Sequence, residues 1–256
     1  MNWVDGSQQA MNAPKLDAPI VLAHGMLGLM QGLFGGGRIE NYFHGIPDWL
    51  RATGNEVIVT EVPGIGSITR KAEALRKGIL TATKVPTHVI GHSQGGLDAR
   101  HMVTHLGTAD RVISLTTIAS PHRGSPIADW GVATADATGV LQMMDASPLD
   151  TEAFHDLGSA RMAEFNRQTP NVKEVRYRSI VGECPREQML PTLRLCHDHI
   201  VKIEGPNDGL VSTVSAHWGE DCTVWQADHS RQIGWFSDGD FDWKQHWATL
   251  LNNLAD

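Results

Sequence analysis

Short β-branched runs alternate with helical patterns along most of the chain. Runs typical of buried strands lie at 20–23, 56–62, 88–90, 112–118, 177–181 and 223–225. Apolar residues recur at helical spacing in the segments 68–80, 97–106 and 241–254, and another predicted helix ends near Leu50. This alternation predicts an α/β fold with a mainly parallel sheet that helices cover on both faces.

The two ends of this pattern set the predicted domain limits. Residues 1–18 are polar, lack a clear period and contain Pro14, so we expect a flexible N-terminal arm and a fold that starts near Pro19. The segment 126–144 is rich in Ala, Gly, Asp and Met without a strong period. It favours a small cap within about 125–165, with a core helix pair as the alternative. Residues 19–256 are predicted to form one domain.

Composition narrows the classes of partner. The net charge of −8 is spread over short acidic and basic alternations, and no basic block could neutralise a row of phosphates, so nucleic acid is not an expected partner. No run reaches the roughly 18 apolar residues of a transmembrane helix. The N-terminus also lacks a signal-peptide pattern, which leaves open both a cytoplasmic protein and a secreted one whose leader is absent from this chain.

The chain has three cysteines, so at most one intramolecular disulfide can form. Cys184 with Cys196 is the pairing that we expect, and Cys222 would then be left over.

One short motif carries most of the predicted chemistry. Gly91-His92-Ser93-Gln94-Gly95 follows an apolar strand directly and precedes a helical pattern. A tight turn from strand to helix projects a serine hydroxyl towards a base, and flanking glycines permit that turn. The context predicts that Ser93 is a catalytic nucleophile.

The base and its orienting acid are expected downstream, in the order Ser, Asp or Glu, His. Asp208 lies in a turn after Gly205-Pro206, and His229 follows the last predicted strand. We predict that Asp208 orients His229 and that His229 takes the Ser93 proton. The weaker candidates are His217 and His246 for the base, and Asp198, Asp221 and Asp228 for the acid.

An oxyanion intermediate needs two backbone N–H donors, one from the residue after the nucleophile and one from an early loop. Gln94 is the first predicted donor. Met26, in the turn that follows His24-Gly25, is the second.

Other clusters are weaker signals. His101 with His105, and His197 with His199, lack a third ligand at a familiar spacing, so we expect neither pair to bind a metal. The run 35–37 is Gly-rich but lacks the Lys-Ser/Thr ending of a phosphate loop. No cofactor or metal is expected.

Several blocks in one order resemble the bacterial triacylglycerol lipases of the Pseudomonas, Burkholderia and Proteus group. The blocks are Ala23-His24-Gly25-Met26-Leu27-Gly28, Tyr42-Phe43-His44-Gly45-Ile46, the Ser93 motif, Ser120-Pro121-His122-Arg123-Gly124-Ser125, Glu164-Phe165-Asn166, Asn207-Asp208-Gly209-Leu210-Val211 and Asp228-His229. The resemblance implies an α/β-hydrolase fold, a Ser93, Asp208, His229 triad, and an oxyanion hole formed by Met26 and Gln94.

Two departures from that family bear on function. Those lipases bind a structural calcium partly through an aspartate two positions after the catalytic histidine, where this chain has Arg231, so the calcium site is not carried over. Only 86 residues separate Pro121 from Asp208, which predicts a smaller cap. We therefore expect a lipase or esterase that acts on lipid or small esters through an acyl-enzyme, with transient contact with a lipid interface. The alternatives are a polyester hydrolase or acyltransferase on the same triad, and a non-catalytic binding protein of this fold.

Overall fold

The computed structural model describes residues 13–26, 42–137, 155–219, 221–236 and 241–255. The strands in these ranges are β1 (Ile20–Ala23), β2 (Val57–Val59), β3 (Thr87–His92), β4 (Val112–Ile118), β5 (Arg176–Gly182) and β6 (Asp221–Trp225). The α-helices are α1 (Ile46–Ala52), α2 (Ile68–Ala82), α3 (Gln94–His105), α4 (Pro126–Ala137), α5 (Ser159–Gln168), α6 (Arg194–Ile200), α7 (Thr213–Ala216) and α8 (Trp243–Ala255).

The six strands form one sheet in the order β2-β1-β3-β4-β5-β6, and every neighbouring pair is parallel. The predicted α/β class and the parallel sheet are confirmed. The main difference is β2, which covers three residues of the β-branched run 56–62.

Alternate residues of each central strand serve two separate cores, one on each face of the sheet. Ile20 and Leu22 of β1 pack with α1 and α8 on one face, around the fully buried Trp247. Val21 and Ala23 pack on the other face with α2 and α3. Helices therefore cover both faces, and the carboxyl ends of the strands meet at one edge, where loops can build a site.

The packed domain begins before the predicted start at Pro19. Ala13 and Leu16 are buried in the first core. Asn55 fixes this segment, because its side chain accepts a hydrogen bond from Leu16 N–H at 2.9 Å and donates to Pro14 O at 2.9 Å. Residues 13–18 are therefore part of the fold, whereas residues 1–12 of the predicted arm lie outside the described residues.

All three cysteines are free, so the predicted pairing of Cys184 with Cys196 is wrong. Cys184 is buried, and this burial raises its pKa to about 11. Its sulfur lies 3.5 Å from Pro185 O.

No helix in the described part of the chain is long and apolar enough to cross a membrane. Helix α4 occupies the start of the segment that predicts a cap, and residues 138–154 of that segment lie outside the described residues.

Candidate active site

Ser93 occupies a sharp turn between β3 and α3. Its φ of 55° is positive, which is unusual for a residue with a side chain. A Cβ at Gly91 would lie 2.6 Å from the backbone of Gly96, and one at Gly95 would lie 2.3 Å from Ala23 O. Glycine is required at both positions because the chain passes too close to itself for any side chain.

We expect Gly95→Ala to destabilise the fold by more than about 3 kcal/mol, because the new methyl group would overlap backbone that cannot move away. Chemical denaturation measures this loss. Gly131→Ala is the matched control, since that position in α4 has open space around it and alanine should stabilise the helix by about 0.5–1 kcal/mol. Equal stability of the two variants would contradict this account of the turn.

Asp208 and His229 form a buried hydrogen-bonded pair. His229 Nδ1 lies 2.8 Å from Asp208 Oδ2, and both side chains are at most 2% exposed. Because a carboxylate oxygen accepts, Nδ1 carries a proton, and in the neutral ring the lone pair is therefore on Nε2. The pair has the tautomer that a general base needs.

The second carboxylate oxygen of Asp208 is also fixed. Oδ1 accepts hydrogen bonds from the backbone N–H groups of Leu210 at 3.0 Å and Val211 at 2.8 Å, while Oδ2 also accepts from Gln232 Nε2 at 3.0 Å. Gly182, at the end of β5, leaves room for this arrangement, because a Cβ there would lie 2.6 Å from Asp208 Cβ.

The two loops that carry this pair are joined to the Ser93 turn. His229 N–H donates to Asp208 O at 2.9 Å. His92 precedes Ser93, and its ring centroid lies 4.4 Å from that of His229. His92 Nε2 lies 3.1 Å from His229 O, so Nε2 must donate, and Nδ1 accepts from the Tyr42 hydroxyl at 2.7 Å. Full burial lowers the pKa of His92 well below its ordinary value, which keeps this ring neutral.

The weaker sequence candidates lie in other environments. His217 caps the C-terminus of α7, and His246 packs in α8 against Phe241. Asp198 forms an ion pair with Arg186, and Asp221 forms one with Arg178.

Asp228 is fully buried next to His229, but its carboxylate holds the loop together. Oδ1 accepts from Ser230 N–H, the Ser230 hydroxyl and Arg231 N–H, and Oδ2 accepts from Leu190 N–H and the Arg231 guanidinium. Arg231 also donates to Gln188 O at 2.7 Å. The residue that departs from the calcium-binding pattern thus ties two loops together through its positive charge.

Met26 and Ser93 line one pocket at the carboxyl edge of the sheet. Gln94 opens α3, and N–H groups in the first turn of a helix have no partner within the helix. The structure therefore brings both predicted donor residues to the turn that carries Ser93.

The pocket encloses about 200 Å³, and its lining is almost wholly apolar. Helix α4 supplies one wall of the pocket. The lining residues are Met26, Ser93, Pro121, Ser125, Ile127, Ala128, Trp130, Gly131, Leu157, Cys196, Leu210 and Val211.

The histidine pairs do not gather metal ligands. His101 and His105 lie ring to ring at 4.7 Å, His197 contacts Asp198, and His199 stacks on Trp130. Within the described ranges, no group of three or more His, Cys, Asp or Glu side chains could hold a metal ion.

Known proteins resemble this chain in sequence and in fold. Triacylglycerol lipase 2 of Saccharomyces cerevisiae is 32% identical over 223 residues, covering 81% of this chain and 67% of the yeast protein. A triacylglycerol lipase of Vibrio cholerae is 30% identical over 241 residues, covering 79% of this chain and 74% of its own length. The chain belongs to the triacylglycerol lipase family. It is a carboxylic ester hydrolase, as the sequence resemblance predicts.

Two further comparisons complete this family assignment. The crystal structure of a metagenomic carboxyl esterase superposes on this lipase-family chain with a TM-score of 0.75 at 20% sequence identity. The match covers 94% of this chain and 76% of the esterase chain, and it confirms the α/β-hydrolase fold. The sequence model of the palmitoyl protein thioesterase family matches residues 19–138.

Sequence reasoning missed the residues that support the site of this lipase-family enzyme. Tyr42 and His92 belong to the sequence motifs without a predicted role of their own, and no motif includes Lys71 or Asp98. A charged residue on an apolar helical face is the signal that could have found Lys71, because Ile68, Ala72, Leu75 and Ile79 define the buried face of α2.

Proposed function

We propose that this enzyme hydrolyses carboxylic esters through an acyl-enzyme on Ser93, with Asp208 and His229 completing a triad. The observation that carries the proposal is the buried hydrogen bond from His229 Nδ1 to Asp208, on loops that pack against the Ser93 turn. That arrangement leaves Nε2 of His229 to act as the base.

In the first step, Ser93 Oγ attacks the ester carbonyl carbon while its proton moves to His229 Nε2. The backbone N–H groups of Met26 and Gln94 stabilise the oxyanion. The bond between the carbonyl carbon and the alcohol oxygen then breaks, and the alcohol leaves with the proton from His229. Water, deprotonated by His229, attacks the acyl-enzyme, and the carboxylic acid leaves as Ser93 regains its proton.

The pocket favours an apolar acyl group as the part of the substrate that it holds. Its lining offers side chains such as Leu157, Leu210 and Val211, which can cover an alkyl chain but not hydrogen-bond a polar one. Trp130, which lines the pocket, is 46% exposed, and Leu195, which precedes the lining residue Cys196 in the sequence, is 69% exposed. These exposed apolar side chains suit contact with an aggregated lipid, so we propose an acylglycerol or another lipid ester as substrate, as the relatives' names indicate for those proteins.

A serine-directed alkyl phosphonate tests the proposal. We expect one covalent adduct, which peptide mass spectrometry places on Ser93, and loss of esterase activity in proportion to labelling. An active enzyme that the phosphonate leaves unlabelled, or labels at another serine, would contradict the assignment.

Ester chain length tests the substrate class. We expect kcat/KM to rise from acetate to medium-chain esters, because each buried methylene contributes up to about 0.8 kcal/mol. Rates should be measured below and above the solubility limit of each ester. A jump above that limit indicates a lipase, whereas a steady fall with chain length would reject the lipid substrate.

Thioester hydrolysis is a second candidate activity, because the thioesterase family model covers residues 19–138, which include Met26, Ser93 and Gln94. The same nucleophile, base and donors serve a thioester, with a thiol leaving in place of an alcohol. Parallel rates on an oxygen ester and a thioester of the same acyl group decide between the two substrates.

A further inference from the structure

Lys71 is a fully buried lysine in α2 that points at the early loop carrying Met26. Its side chain is 0% exposed. Nζ donates to Gly25 O at 2.9 Å and lies 3.4 Å from His24 O. An ammonium group without water costs free energy unless its protons find acceptors, so these backbone carbonyls are part of what stabilises it here.

The bond to Gly25 O constrains the direction of the next N–H group, together with His24 Nδ1, which lies 2.9 Å from the same oxygen. Gly25 O and Met26 N–H belong to one peptide unit, and no peptide bond in the described ranges is cis. In a planar trans peptide the C=O and the N–H point in opposite directions. A donor that holds Gly25 O towards Lys71 therefore aims Met26 N–H away from Lys71, and Met26 lines the Ser93 pocket.

The same ammonium group also holds the residue of the second donor. Lys71 Nζ donates to Gln94 Oε1 at 3.2 Å, and Gln94 Nε2 donates to Gly66 O at 2.8 Å. Both the oxygen and the nitrogen of the Gln94 amide group are thus hydrogen-bonded, and the backbone of Gln94 begins α3 directly after Ser93.

Asp98 supplies the balancing charge from one turn further along α3. Its Oδ2 lies 3.2 Å from Lys71 Nζ, and its side chain is 1% exposed. Burial raises the pKa of Asp98 to about 7 and lowers that of Lys71, while each charge favours the ionised form of the other. The pair links α2, α3 and the Met26 loop through one buried cation.

We propose that Lys71, balanced by Asp98, is a positioning residue that presets both oxyanion donors of the esterase site. It acts on Met26 through its hydrogen bond to Gly25 O, and on Gln94 through its hydrogen bond to the Gln94 side chain. It does not touch the substrate. A cation on Gly25 O also polarises that peptide, which strengthens Met26 N–H as a donor. This inference rests on the proposed serine mechanism.

The decisive variants remove the cation in two ways. Lys71→Met removes the donors but leaves the Asp98 carboxylate buried and unpaired, so it is expected to be less stable. The double variant Lys71→Met with Asp98→Leu replaces the pair by apolar side chains of similar size, a change that folds tolerate well. Lys77→Met is the matched control, because Lys77 lies on the exposed side of the same helix.

We expect the double variant to fold and to lose about 10- to 100-fold in kcat, below the 10²–10³ lost when one donor is removed entirely. KM should change less than about threefold. An alkyl boronic acid forms a tetrahedral adduct with the nucleophile. Its inhibition constant should rise by the same factor by which kcat falls. Lys77→Met should match the parent protein in all three quantities.

Ser93→Ala, assayed beside these variants, separates failure of the inference from failure of the mechanism. A double variant with parental kcat and boronate affinity, beside an inactive Ser93→Ala, would overturn the positioning role alone. Loss of folding in both Lys71 variants would also overturn it, because the pair would then act on the whole fold. An active Ser93→Ala would instead reject the serine mechanism.

Discussion

Replacing Ser93 by alanine is expected to lower kcat by about 10⁶ on any ester that the enzyme accepts, by analogy with another triad enzyme. The change removes only the hydroxyl oxygen that attacks the carbonyl. Because the positive φ of 55° is set by the turn and tolerated by serine, alanine should adopt the same backbone. Folding and substrate binding should therefore survive, and steady-state kinetics should show the loss in kcat alone.

Ser67→Ala is the matched control for the loss of a hydroxyl group. Ser67 precedes α2, and its side chain makes no capping hydrogen bond there. We expect its activity to stay within about twofold of the parent enzyme, in line with the small effects of substitutions away from key features. Substantial esterase activity in folded Ser93→Ala would show that another group is the nucleophile.

Asp208→Asn should lower kcat by about 10⁴ through the tautomer of His229. Oδ1 of Asp208 accepts from two backbone N–H groups, so the amide oxygen of asparagine must stay on that side. The NH2 group then faces His229 Nδ1, which can no longer donate and must accept. The ring proton moves to Nε2, so this nitrogen cannot take the proton of Ser93.

Asp221→Asn is the control for this carboxylate-to-amide change. Asp221 lies on β6 and forms a partly exposed ion pair with Arg178. The kcat of the Asp221→Asn variant should therefore stay within about twofold of the parent value. Circular dichroism should show both variants folded. If folded Asp208→Asn lost less than about tenfold in kcat, Asp208 would not be the residue that orients the base.

Local patterns were sufficient to predict all six strands of the described sheet and four of the eight α-helices in the described ranges. The continuous apolar run of β1 indicates a strand that is buried on both faces, and the helical spacing of α2 marks its one buried face; both signals lie in neighbouring positions. The start of the domain was harder to predict. Leu16 is buried because Asn55, 39 residues away, binds its backbone, and no local pattern records that contact.

The motifs also predicted which residues the structure brings together at the site. Gly91 and Gly95 are required because a side chain at either position would overlap nearby backbone. The five-residue motif around Ser93 was therefore sufficient to predict this turn. The pairing of Cys184 with Cys196 was wrong for the opposite reason, since the number and spacing of cysteines carry no information on the distance between them.

The sequence by itself determined the fold class, the family and the candidate nucleophile, base and acid, because each depends on a short motif or a local period. Only the tertiary structure decided how these groups are held. Lys71, His92 and Gln232 act on residues from distant parts of the chain, through hydrogen bonds that exist only after the sheet brings its loops to one edge. The tautomer of His229 is set by its hydrogen bond to Asp208, and the direction of Met26 N–H by the bond from Lys71 to Gly25 O, so each depends on a partner that folding places opposite it.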